Sequence, residues 1–167
     1  SIMAAVEAVT LTGLGTVRGK ETEGGVTRYL ALAYAAPIRE RWTPPLPPVP
    51  WDGERCNPID LPRCPQPGRE KQTFSGHRVV DDESNCLVLN VFAPPTAGSR
   101  TPPLPVLFYI HGGAGKFGSC HDAFHCNGER LAREGVVYVA ANYRLGALGF
   151  LAHPALALED AARAEGA

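Results

Sequence analysis

The stretch Phe108-Tyr109-Ile110-His111-Gly112-Gly113-Ala114-Gly115-Lys116-Phe117-Gly118-Ser119 carries an apolar run straight into a glycine-rich turn. Backbone of this kind approaches a ligand closely and aims consecutive N–H groups at one spot, which suits an anionic oxygen. A phosphate loop would need glycine five residues before Gly115 and a hydroxyl residue after Lys116. Ile110 and Phe117 stand there instead. Such a turn can stabilise the oxyanion of acyl transfer; a tight turn with no ligand role is the other reading. A nucleophile to match is missing: Ser75, Ser84, Ser99 and Ser119 each lack glycine on at least one side of a Gly-x-Ser-x-Gly frame. The sequence therefore reads as half of an active site.

Other reactive side chains compete for attention. Cys120-His121-Asp122-Ala123-Phe124-His125-Cys126 packs potential metal ligands into seven residues. His121 and His125 stand one helical turn apart, as zinc ligands can. A local disulfide between Cys120 and Cys126, or unpaired cysteines, explain the same residues. His111 is read as a brace for the turn rather than a general base. Gly13-x-Gly15 lacks the third glycine and the following helix of a dinucleotide fingerprint, so it reads as a hairpin turn.

The elements that must hold the turn follow from pattern. Val6 to Thr12 and Thr16 to Lys20 are β-prone around Gly13-Leu14-Gly15, and Val26 to Ala33 continues them. Ala36 to Pro67 is so rich in proline that no regular helix or central strand is expected, yet it contains Trp42 and Trp51. It is read as an ordered loop pressed onto a core, with a polyproline ligand for a partner domain as the alternative. Leu87 to Phe92 predicts a strand. Val106 to Ile110 and Val136 to Ala141 are continuous apolar runs around a short helix capped by Asn127 and ended by Gly135. That pattern predicts a parallel βαβ unit buried on both faces. Ala155 to Ala167 is helix-prone.

Composition narrows the classes. The 167 residues are 44% hydrophobic with a net charge of −1, so nothing points to nucleic acid or an acidic membrane surface. No run is long enough for a transmembrane helix, and Ile2 to Val9 is too short for a signal peptide. The five cysteines, Cys56, Cys64, Cys86, Cys120 and Cys126, are an odd number and favour an oxidising compartment. A secreted or extracellular location is expected. There is no Asn-x-Ser/Thr sequon to support it.

Several motifs occur together in one order: Arg41-Trp42, Trp51-Asp52-Gly53, Cys64-Pro65-Gln66, Cys86-Leu87-Val88-Leu89-Asn90-Val91, His111-Gly112-Gly113, Gly118-Ser119, Leu131-Ala132, Asn142-Tyr143-Arg144-Leu145-Gly146 and Gly149-Phe150-Leu151. This resembles the N-terminal part of the type-B carboxylesterases, the cholinesterase-like branch of the α/β-hydrolases, over about residues 10 to 158. The resemblance implies an α/β fold in which antiparallel N-terminal strands lead into a mostly parallel central sheet. Residues 1–167 would be the N-terminal portion of one domain, completed by a companion segment bearing the serine, acid and histidine. The implied activity is serine ester hydrolysis of a small-molecule ester without a cofactor, and not by this chain alone. A cholinesterase-like adhesion protein lacking the triad is the alternative.

Residue by residue, Gly113 and Ala114 match the oxyanion-hole amides. Ala114 replaces a glycine and is expected to keep a negative φ. Gly115 stands where the family often has an aromatic residue. Cys64 and Cys86 match the family's first disulfide, and Cys56 is left as the odd cysteine. Glu83 is the candidate to replace a displaced glutamate as partner of Arg41. Arg144 is expected to pair with an aspartate outside this chain. No tryptophan follows Gly76 in the shortened segment, which argues against a cationic choline ester.

Overall fold

The structure is a computed structural model that describes residues 8–68, 72–95 and 103–165. The first residues of the Val6 run, Ser99 and the end of the Ala155 to Ala167 helix lie outside the described residues. Val9–Leu11 (β1) and Gly15–Arg18 (β2) form the expected hairpin around Gly13. Lys20–Glu21 (β3) then pairs antiparallel with Thr27–Ala33 (β4). The two hairpins belong to different sheets, because β2 pairs next with Glu54–Cys56 (β5).

The proline-rich segment departs from expectation by containing β5 and a second short strand, Asp60–Arg63 (β6). Pro62 is tolerated because β6 is an edge strand. Among the described residues it pairs only with His77–Asp81 (β8), which also takes Gln72–Phe74 (β7) on its other side. The two tryptophans anchor the segment through their indole N–H groups. Trp51 donates to the Thr16 carbonyl at 3.1 Å and Trp42 to the Ala147 carbonyl at 2.8 Å.

The central sheet has the order β10-β11-β9-β4-β3, with Val88–Ala93 (β9), Val106–Ile110 (β10) and Val137–Ala141 (β11). Strand β9 alternates as predicted, burying Val88, Asn90 and Phe92. Pairing is antiparallel from β3 through β11 and turns parallel between β11 and β10. The connection between these two strands is the helix Glu129–Arg133 (α1). The Asn127 side chain accepts the Glu129 amide, and the Gly135 and Val136 amides close its last turn on Ala132 and Leu131. The chain continues through Gly146–Phe150 (α2) and Pro154–Glu165 (α3).

Burial of β10 on both faces is not reached. It lies at the margin of the described sheet, with Val106, Phe108 and Ile110 between 56% and 67% exposed. Core packing concentrates instead on β4, β9 and β11, where Leu30, Phe92, Tyr138 and Ala140 meet Leu61 and Phe74 of the small sheet.

Polar wiring crosses this core. Strand β4 bulges between Tyr29 and Leu32, and its displaced amides are taken by side chains: Leu30 donates to Asn57 at 2.8 Å and Ala31 to Asn90 at 2.9 Å. Asn90 also donates to the Cys120 carbonyl at 2.8 Å and to His121 Nδ1 at 3.1 Å. Since the Pro62 carbonyl can only accept, His121 donates to it from Nε2, which fixes the neutral tautomer.

Burial is the main cause that lowers the His121 pKa from 6.5 to about 4. An unfolded chain takes up the proton first as pH falls. The stabilisation is therefore complete above pH 6.5 and is lost progressively toward pH 4, a window worth about 3 kcal/mol. Replacing His121 by Gln in the full-length protein should flatten the pH dependence of the denaturation midpoint between those limits. An unchanged slope would assign the acid sensitivity to other groups.

Candidate active site

The turn after β10 is held at both ends and open in the middle. At its entry, the buried His111 ring stacks on Tyr143, centroids 4.3 Å apart and 17° from parallel. Tyr143 Oη donates to the His111 carbonyl at 2.8 Å, and His111 Nδ1 donates to the Gly112 carbonyl at 2.9 Å. His111 thus braces the turn as expected. At its exit, the Gln66 side-chain amide grips Gly118 on both backbone groups, at 2.7 and 2.9 Å. Two residues further, the Cys120 amide donates to Asn142 Oδ1 at 2.7 Å, while Asn142 Nδ2 donates to the carbonyls of Pro62 and Cys86.

Between these clamps the Gly113 carbonyl accepts the Lys116 and Phe117 amides and closes the turn. The Gly113 and Ala114 amides donate to no acceptor among the described residues. Two glycines make this geometry possible. A Cβ on Gly113 would sit 1.8 Å from the Phe117 carbonyl oxygen, and one on Gly118 would meet His111 Nδ1 at 2.5 Å. Adjacent unpaired amides on a clamped turn, at the carboxyl end of a sheet strand, form a receptor for a small anionic oxygen.

Ala114 corrects one expectation. Its φ is +53°, not negative. With Gly113 at +121° and Gly115 at +67°, the turn follows a left-handed course although an alanine stands at its centre. A Cβ in that region costs about 1–2 kcal/mol, which the surrounding clamps must offset.

The Cys120 to Cys126 loop does not gather its polar groups. His121 points into the core, whereas the His125 side chain is 61% exposed beside Asp122. Among the described residues, no group of three His, Cys, Asp or Glu side chains converges as metal ligands do. Both thiols are buried and donate to carbonyls, Cys120 to Val88 and Cys126 to Ser119. Burial pushes the Cys126 thiol up to about 12 and Cys120 well above the usual thiol range. Cys64 and Cys86 are buried thiols whose sulfurs lie 2.8 Å apart, and Cys56 is exposed on β5. The hydrogen bond to Cys86, with burial, raises the Cys64 pKa strongly.

Two arginines line a separate hollow beside Trp42, Cys64 and Leu145. Arg41 and Glu83 form a two-pronged ion pair at 2.6 and 2.8 Å, so Glu83 takes the partner role foreseen for it. Half-buried Arg144 donates to the Thr43 carbonyl at 2.8 Å. Gln66, Asn90 and Asn142 carry bonds that sequence reasoning did not assign. Their signal was present only as fixed positions within motifs, since an amide side chain announces no partner.

If the clamps hold Ala114 against its preference, Ala114→Gly should stabilise the full-length protein by about 1 kcal/mol. Gly113→Ala should destabilise it. A higher denaturation midpoint for the first variant and a lower one for the second check both signs.

A profile described as the carboxylesterase family matches residues 5–159. Fumonisin B1 esterase of Sphingopyxis macrogoltabida is 39% identical over 151 residues, 89% of this chain and 26% of that protein. Para-nitrobenzyl esterase of Bacillus subtilis is 36% identical over 146 residues, 86% of this chain and 29% of that protein. The structure of an esterase from Clostridium hathewayi that hydrolyses aliphatic aromatic polyesters superposes with a TM-score of 0.73 at 30% identity, over 89% of this chain and 29% of that one. The chain thus spans between 26% and 29% of the length of these relatives. No helix among the described residues is long and apolar enough to cross a membrane. With its strand order, its His-Gly-Gly turn and these relatives in agreement, the chain belongs to the carboxylesterase family and carries part of an α/β-hydrolase fold.

Proposed function

We propose that the full-length protein hydrolyses carboxylic esters through a serine acyl-enzyme, and that this chain supplies two donors of its oxyanion hole. The observation that carries the reading is the pair of unpartnered amides, Gly113 and Ala114, on a turn fixed at both ends. The sequence holds no Gly-x-Ser-x-Gly, and in this reading the serine, acid and histidine lie outside residues 1–167. The serine hydroxyl gives its proton to the histidine and attacks the ester carbonyl. The carbonyl oxygen becomes an oxyanion and accepts hydrogen bonds from Gly113, Ala114 and the amide after the serine. The alcohol leaves with that proton, and water then releases the acid by the same steps in reverse order.

A companion segment of the same protein completes the site. The bare margin of β10, with Val106, Phe108 and Ile110 exposed, supports this, since a parallel strand of this kind is ordinarily covered. Arg144, whose polar partner among the described residues is a carbonyl, is suited to receive a carboxylate from that segment. The full-length protein should hydrolyse short p-nitrophenyl esters, lose activity to an organophosphate and keep it in chelator. Gly113→Ala, by displacing a donor, should lower kcat by about 100-fold or more. A folded full-length protein inert toward these esters would favour a binding protein that has lost the chemistry.

Cys64 and Cys86, with sulfurs in contact, are proposed to form a disulfide in a secreted or extracellular protein, and Cys120 and Cys126 are the candidates for a second. Peptide mapping of the purified protein without reductant should recover Cys64 and Cys86 as one linked species. Two free thiols there would refute the pairing.

A further inference from the structure

Beside the oxyanion turn lies an open depression of about 890 Å3 whose walls include Ile110, Ala114, Tyr143, Phe150 and Leu151. Among the described residues one charged side chain lines it, that of Lys116. No carboxylate pairs with Lys116 among the described residues, and the wall of the depression contains none. The Lys116 amide is bonded to the Gly113 carbonyl, so the ammonium stem rises from the same rigid turn that presents the two free donors. Gly115, between them, leaves the depression open. A Cβ there would reach within 3.1 Å of the Phe150 ring, and any longer side chain would press on that wall. The Gly146 amide donates to the Gly115 carbonyl at 2.7 Å, which fixes the wall formed by α2 against the turn.

We propose that Lys116 is a specificity-determining residue that selects esters whose acyl group ends in a carboxylate, the half-esters of short dicarboxylic acids. The inference rests on the reading of Gly113 and Ala114 as oxyanion donors. Lys116 stands two residues, at most about 7 Å of backbone, after Ala114, so an acyl chain leaving a carbonyl held at Ala114 can run toward the Lys116 ammonium. The apolar walls receive the intervening methylene groups. A neutral acyl chain of the same length fills the same walls and leaves the ammonium without a partner. Lys116 takes no part in bond making; it raises the occupancy and alignment of the anionic ester.

The test uses the full-length protein with p-nitrophenyl hemiglutarate and p-nitrophenyl pentanoate, which have acyl chains of equal length. The ratio of their kcat/KM values should fall about fivefold in Lys116→Met and be retained in Lys116→Arg, as expected for a partly exposed charge pair. In the unaltered protein it should shrink as ionic strength rises from about 0.01 M to about 1 M, where the screening length drops from about 30 to about 3 Å. An unchanged ratio in Lys116→Met would overturn the proposal. Calorimetric binding of glutarate gives a readout independent of turnover. Tighter binding of glutarate than of pentanoate, lost in Lys116→Met, supports the anionic subsite even if neither ester is cleaved, in which case only the catalytic reading fails. Equal affinities for the two acids, or affinity for glutarate unchanged by the substitution, would remove the subsite while leaving ester hydrolysis in place.

Discussion

A backbone amide that is to receive a transient negative charge must be left without a partner and still be unable to move. Buried backbone is ordinarily arranged in the opposite way, with its donors satisfied. The turn at residues 111–120 reconciles these demands by fixing the backbone on either side of the two donors. His111 is stacked and bonded, Gly118 is gripped by Gln66, and Cys120 is tied to Asn142 and Asn90. Each tie leads to a different part of the chain. Gln66 belongs to the proline-rich region, Asn90 to β9, and Asn142 to the end of β11. The position of two amides thus depends on most of the fold, and the long irregular segment from 36 to 67 is part of the scaffold rather than a tether.

The strands were legible where side-chain pattern and burial coincide. Strand β9 alternates because one face meets the core, and β11 is a continuous apolar run because it sits between β10 and β9. The oxyanion turn was legible because glycine announces positive φ and close approach. Ala114 was misjudged because alanine announces neither; its left-handed backbone is imposed by the bonds that close the turn on Gly113. Strands β5 and β6 were missed because proline removes a ladder donor, a loss that an edge strand does not feel. The three bridging amide side chains stayed silent because one Asn or Gln serves equally at a surface turn or in a core network.

Charge on this molecule is placed with the same economy. Arg41 with Glu83 and Arg63 with Asp81 each satisfy themselves locally, through short contacts between segments far apart in sequence. Lys116 stands apart from that pattern, since it faces apolar walls and has no carboxylate beside it among the described residues. The turn therefore offers two kinds of positive field side by side. One is a pair of fixed dipoles suited to a developing oxyanion, and the other is a full charge on a flexible stem.

The contrast between saturated clamps and vacant donors has a consequence for isotope exchange. The Ala31 and Cys120 amides are held by Asn side chains that are themselves buried, so their hydrogens exchange with solvent deuterium only when the surrounding core opens. Gly113 and Ala114 lack that protection and exchange through the native state. Fast exchange within the turn would adjoin slow exchange at Gly118 and Cys120. Occupancy of the turn by an oxyanion would be visible as retardation at those two residues, and the native turn would report its own ligand without a chromophore or a reaction.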